Sequence, residues 1–224
     1  MKKEKKSVLI IDNCPLICEA YKSIINTINK KKPYQLELNI AYCIENAYEI
    51  INQFIKNGII LDLIVLELKS PQENKKIYGE DLANTIKIKL PNTKIIISTT
   101  SGDNFRIHSI FKTINPDGFI LKKDLTSTVF KRAINSVLNN IPFYSASILK
   151  LLRKEVSSNF LLDGMDRKIL YELSIGSRMK DMPNYIPLSV ASIEKRKYQL
   201  KKAFNVTEKG DRELILIAKE KGFI

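Results

Sequence analysis

Val8-Leu9-Ile10-Ile11-Asp12-Asn13-Cys14-Pro15 is four apolar residues without a polar break, closed by a carboxylate and a proline. A strand with one wet face alternates apolar and polar side chains, whereas a strand covered on both faces is apolar throughout. The run therefore reads as a buried parallel strand near 7–11. Similar runs recur at 36–41, 61–67, 94–99 and 117–121, of which Lys94-Ile95-Ile96-Ile97 is again continuous. Each is followed by a stretch with helical periodicity, at 14–30, 45–57, 79–89, 103–114 and 125–140. Five strand-then-helix units predict an α/β domain over 1–140, a five-stranded parallel sheet doubly wound with helices on both faces.

After residue 140 the strand signal stops. Ser145, Ser147, Ser157, Ser158 and Asn159 mark 141–158 as a linker, within which Ile148 to Leu152 can form a helical turn or more. Residues 159–224 read as an all-α domain. Leu162, Met165, Ile169, Leu170 and Leu173 have helical spacing, and a short second helix is expected near 178–185, shortened or bent by Pro183. Pro187 then ends the helical run, and Ser189 is placed to cap a new helix over 190–204 by accepting from the N–H of Ala191 or Ser192. At about 100° per residue, Ile193, Leu200 and Phe204 share the buried face of that helix, with Ala191, Lys195, Tyr198 and Lys202 opposite. A last helix is expected over about 211–221.

The 224 residues carry a formal charge of +13, which suits a polyanionic partner, nucleic acid or an anionic surface. Residues 1–142 hold 21 Lys and Arg against 14 Asp and Glu, a net +7, and 143–224 hold 16 against 10, a net +6, so charge alone does not locate the contact. Cys14, Cys18 and Cys43 lack paired metal-ligand spacing and are expected as buried thiols in a reducing cytosol. The basic start is followed by an apolar run too short for a signal peptide, and no run reaches transmembrane length. A cytoplasmic protein with no membrane partner is the expectation.

Ligands of an open α/β sheet bind at the carboxyl ends of its strands. Those ends carry Asp12 and Asn13, then Glu67, then Thr99, then Lys122. Carboxylates can hold a hard cation, a hydroxyl can bond a phosphoryl oxygen, and an ammonium can neutralise its charge. With Asp62-Leu-Ile-Val-Leu-Glu-Leu-Lys-Ser-Pro71 and Asp117-Gly-Phe-Ile-Leu-Lys122, the sequence over about 6–140 resembles the flavodoxin-like receiver domain of two-component response regulators. The resemblance implies a pocket of Asp12, Asn13, Glu67, Lys69, Thr99 and Lys122 with Phe119 as switch aromatic. It also implies a histidine kinase as phosphoryl donor, with Mg²⁺ as helper.

Two departures qualify this. Asn13 replaces the second of two consecutive acids, which removes charge from a Mg²⁺ site built on Asp12 and Glu67 and predicts weak or absent metal. Glu67 stands where the family has its phosphoacceptor aspartate. One methylene longer, it projects its carboxylate to where phosphoaspartate would place its oxygens, so it can imitate the phosphorylated state. Lys122 can equally form a buried ion pair with Glu67 or Asp12, and Thr99 a satisfied strand-end hydroxyl. His108, the single histidine, is expected at the surface or its boundary.

Residues 161–224 resemble the helix-turn-helix domain of LuxR/NarL-type regulators, through the Gly176 turn, Leu188-Ser189, Ser192-Ile193 and the ending Ala218-Lys-Glu-Lys-Gly-Phe-Ile224. The resemblance implies that Ser192, Glu194, Lys195, Tyr198 and Lys202 face double-stranded DNA. Glu194 replaces a usual lysine and either repels phosphate, accepts from cytosine, or pairs with Lys197 or Tyr198 in its own helix. The lysines and Arg196 predict a strongly salt-dependent DNA complex. Together the domains point to a DNA-binding transcription regulator, not an enzyme and without a cofactor, acting as a homodimer through the last helix or the 103–140 face, with a receiver independent of phosphorylation. The alternative is a signalling module that docks on a protein partner without sequence-specific DNA binding.

Overall fold

A computed structural model describes residues 3–68, 79–156 and 162–224. The chain forms two compact units, Met1–Gly102 with Ile110–Ile148, and Asp103–Ser109 with Leu149–Ile224. In chain order, strands β1 (Glu4–Ile11), β2 (Tyr34–Ala41), β3 (Leu63–Glu67), β4 (Lys94–Thr99) and β5 (Gly118–Leu121) alternate with helices α1 (Pro15–Lys31), α2 (Ile44–Lys56), α3 (Gly79–Lys89), α4 (Asn104–Thr113) and α5 (Ser127–Leu138), all in the first unit except α4, whose residues up to Ser109 belong to the second. A further short strand, β6 (Phe143–Tyr144), completes the sheet. The sheet order is β2-β1-β3-β4-β5-β6 and every pairing is parallel.

Burial explains the continuous apolar runs. Val8 and Ile10 of β1 meet Tyr21 and Ile25 of α1 and Phe130 and Ile134 of α5 in one core, while the alternate residues Leu9 and Ile11 point to the other face and are also buried. Gly118 lies so close to its neighbours that a Cβ there would stand 2.8 Å from Ile96 Cγ1, so the β4–β5 approach demands glycine.

The sixth strand corrects the five-stranded expectation. Phe143–Tyr144, inside the segment read as a linker, pairs with Gly118 and Phe119. It was hidden because two residues are too short for a periodic signal. Asp124 pins the chain just beyond this strand, accepting from Ser145 Oγ at 2.7 Å, Ser147 N at 2.9 Å and Ser147 Oγ at 2.8 Å. Helix α6 (Ala146–Val156) starts there, so the serines read as linker content anchor a strand and a helix.

In the second unit α7 (Gly164–Ser174), α8 (Val190–Ala203) and α9 (Asp211–Glu220) enclose a core of Ile169, Leu170, Met182, Ile193, Leu200 and Leu214. The helix expected near 178–185 is instead a single 3₁₀ turn, Met182–Asn184. Pro183 sits inside it, and without an N–H it cannot carry an i to i−4 ladder onward.

Candidate functional site

The strand ends converge at one edge of the sheet. Asp12 follows β1, Glu67 ends β3, Thr99 ends β4, and Lys122 follows β5. Lys122 Nζ donates to Asp12 Oδ2 at 2.8 Å and to Glu67 Oε1 at 2.5 Å. Both alternatives for that lysine are thus realised at once. The side chains are 2% (Asp12), 11% (Glu67) and 11% (Lys122) exposed, so each charge has lost most of its water. Burial opposes the ammonium's charge, but the hydrogen bonds and charges of Asp12 and Glu67 outweigh it and raise the pKa of Lys122.

The rest of the pocket is tied to backbone. Asp12 Oδ1 accepts from Cys14 N at 2.9 Å, and Cys18 Sγ donates to Asp12 O at 3.3 Å. Thr99 Oγ1 donates to Leu68 O at 2.7 Å and accepts from Ser101 N at 3.2 Å, the satisfied strand-end hydroxyl expected from sequence. Phe119 is fully buried, with Phe111 5.4 Å away between ring centroids. Asn13 is exposed at the rim, and Lys69 lies outside the described residues.

Of the three cysteines only Cys18 is buried, with its thiol pushed up to about 11 by burial and then by Asp12; Cys14 is half-buried and Cys43 exposed, which corrects the expectation of three buried thiols. Mg²⁺ fits this donor set poorly. A hard cation takes six or more oxygens, whereas the two carboxylates here already bind an ammonium and the next side chain is an amide. Among the described residues no group of three or more His, Cys, Asp or Glu is placed to hold a metal, and no helix is long and apolar enough to cross a membrane.

The second candidate surface is the outer face of α8. Ser189 caps the helix by accepting from Ser192 N at 3.3 Å. Ile193, Leu200 and Phe204 are buried, and Ser192, Glu194, Lys195, Tyr198 and Lys202 are exposed together, as the periodicity requires. Three cations of the same helix are turned elsewhere. Arg196 Nη1 donates to Asp163 Oδ2 at 2.8 Å and Asp166 Oδ1 at 2.7 Å. Lys197 and Lys201 both reach Asp211, at 3.0 and 2.7 Å, so Lys197 is the partner of Asp211 rather than of Glu194. Burial raises Asp163 and Asp211, but backbone N–H groups and Arg196 hold the first, and Lys201 and Lys197 the second, below the usual carboxylate range. These three acids were missed from sequence. Asp163-Gly-Met-Asp166 carries a helix-start pattern and does form a capping box, yet nothing local connects it to Arg196.

No protein-family model matches the chain. It is similar to the transcriptional regulatory protein MctR of Rhizobium johnstonii, 23% identical over 207 residues covering 91% of this chain and 89% of that protein. Among solved structures it resembles RcsB dimers bound to two parallel DNAs, with 17% identity, a TM-score of 0.61 and coverage of 97% and 99% of the two chains. RcsB of Salmonella enterica serovar Typhimurium, bound to a promoter in the presence of the phosphomimetic BeF₃⁻, gives 18% identity, a TM-score of 0.57 and coverage of 94% and 96%. A LuxR-family response regulator of an Aurantimonas species gives 17% identity and 0.55, covering 69% of this chain and all of that one. At these identities the likeness is one of fold: a parallel α/β receiver followed by a helical helix-turn-helix unit.

Proposed function

We propose that this protein is a DNA-binding transcription regulator whose receiver acts without accepting a phosphoryl group. The observation that carries the reading is the bond from Lys122 to Glu67, with Asp12 on the same ammonium. In a receiver that lysine neutralises charge brought by phosphorylation; here it is already held by two carboxylates, one of them on an acid a methylene longer than the phosphoacceptor aspartate it replaces. The pocket therefore keeps one state without a kinase, and an upstream partner acts by docking rather than by phosphoryl transfer. Binding to double-stranded DNA is supported by the exposed face of Ser192, Lys195, Tyr198 and Lys202, by RcsB's capture on DNA, and by the description of MctR as a transcriptional regulatory protein. A homodimer is part of the reading, because one small module buries too little surface for specificity. Catalysis, a cofactor and a metal are not, and the working compartment is the cytoplasm.

One observation favours the protein-docking alternative: Glu194 is exposed on the DNA face, in a unit whose second helix is a 3₁₀ turn. Gel shifts on genomic fragments separate the two readings. Native protein is expected to retain specific fragments that the Lys195→Ala, Tyr198→Ala double variant releases, and equal behaviour of both favours docking. Acetyl phosphate or beryllofluoride with Mg²⁺ is expected to leave DNA affinity unchanged, while Glu67→Ala alters it. A clear response of the native protein to either phosphate analogue refutes phosphorylation independence.

A further inference from the structure

We infer that Arg196 is a positioning residue for the DNA-facing helix, one jaw of a two-sided ionic clamp on α8, and not a contact to DNA phosphate. The inference rests on the DNA-binding reading above and deepens it. The buried stripe of α8 is Ile193, Leu200 and Phe204. At about 100° per residue, Arg196 lies about 60° to one side of Ile193, and Lys197 and Lys201 about 40° and 80° to the other. The three cations thus border the stripe, and Lys195, Tyr198 and Lys202 stand opposite it.

Each border meets carboxylate at a helix start. On one side Arg196 joins Asp163 and Asp166, which also close the capping box of α7. On the other, Lys197 and Lys201 share Asp211 in the first turn of α9. Those acids occupy helix N-termini, where negative charge is favoured anyway, so the clamp uses carboxylates that the helices themselves stabilise. The element before α8 is three residues long, and Met182 within it and Ile186 just after it anchor that segment in the core. Rotation of α8 about its axis is resisted on one border by α7 and on the other by α9.

The assignment changes what salt should do. Counterion release gives a slope of log affinity against log salt of about −0.9 per neutralised phosphate. Five cations on α8 would make the complex very steep; with three engaged internally, Lys195 and Lys202 are the two on that helix without an ion-pair partner among the described residues.

The test uses the full chain, a fluorescently labelled mixed-sequence duplex, and hydrogen exchange of the free protein. Lys195→Gln and Lys202→Gln are each expected to shallow the slope by about 0.9 per protomer. Arg196→Gln is expected to weaken binding several-fold at every salt concentration with the slope unchanged, and to speed exchange of α8 amides several-fold while those of α7 keep their protection. Arg196→Lys, which keeps one charge at the site, recovers part of both. Asp163→Asn with Asp166→Asn reproduces Arg196→Gln, and combining all three adds nothing. A loss of about 0.9 in slope for Arg196→Gln with α8 exchange unchanged makes Arg196 a phosphate contact and overturns the assignment. Additive effects of the arginine and aspartate changes also overturn it. If the native chain binds no duplex, the DNA-binding reading fails, and the exchange rates of α8 still decide whether the clamp exists.

Discussion

The pocket at the strand ends and the α8 clamp share one device, a cation held by two carboxylates, in two solvents. Lys122 between Asp12 and Glu67 is nearly dry, with side-chain exposures of 11%, 2% and 11%. Arg196 between Asp163 and Asp166 is half wet, at 32%, 53% and 19%. Water decides what each can do. A dry cluster is expensive to break because the survivor keeps an uncompensated charge, whereas an exposed pair gives up little when broken and is screened by salt. The pocket is therefore suited to holding one state, and the clamp to tuning the pose of a helix.

The sharpest test of that contrast is Lys122→Met, which leaves Asp12 and Glu67 facing each other without a counter-charge. It is expected to lower unfolding free energy by about 3–5 kcal/mol in urea titrations; a loss under about 1 kcal/mol would erase the distinction between the sites. Glu67→Gln keeps Asp12 on Lys122 and exchanges the second ion pair for a bond from the ammonium to a neutral amide oxygen, so a smaller loss is expected, about 1–3 kcal/mol by the same titration.

Arg196→Gln comes next, at no more than about 1 kcal/mol once solvent screening is allowed for. The thermal melt should fall by a few degrees at most, and added salt should narrow its gap from the native protein. Acid and alkali ought to find the two devices in opposite order. Asp163 and Asp211 have depressed pKa values, so their contribution is present above about pH 3.8, the ordinary aspartate value, and is lost as pH falls through the lower folded values. Lys122 has a raised pKa, so its contribution is complete below about 10.5 and is lost as pH rises through the higher folded value. Circular dichroism of the melts at both extremes checks the sign. The smallest effect on stability is expected from Glu194→Lys on the outer face of α8. It should leave the melt unchanged and tighten DNA binding, with the salt slope steeper by about 0.9 if the new lysine meets a phosphate.

Much of this was legible beforehand, and the reason lies in periodicity. Unbroken runs such as Val8 to Ile11 locate a parallel strand because both faces are buried, and the spacing of Ile193, Leu200 and Phe204 locates the face of α8 because 3.6 residues make a turn. Convergence of Asp12, Glu67, Thr99 and Lys122 follows from strand ends sharing an edge. What stayed illegible had no period. Phe143–Tyr144 is too short to show one. The 3₁₀ turn at Pro183 was half seen, since proline predicts interruption but not how little helix survives it. The partners of Arg196 lie 33 and 30 residues away and are fixed by packing that no local pattern encodes, so a residue counted for DNA is found paired to α7 at the border of the buried stripe.

The two-residue strand β6 has a consequence for self-association. Without it, β5 would be the rim of the sheet, four wholly buried residues, Gly118 to Leu121, presenting unpaired backbone as a template for other chains. With it, the rim on that side shrinks to Phe143 and Tyr144, which Arg132 overhangs at 5.9 Å from the Phe143 ring. Short, charge-guarded rims are how sheets avoid growing into one another. A chain cut before Phe143 should therefore stack edge to edge more readily than the intact one, visible as light scattering that rises more steeply with concentration.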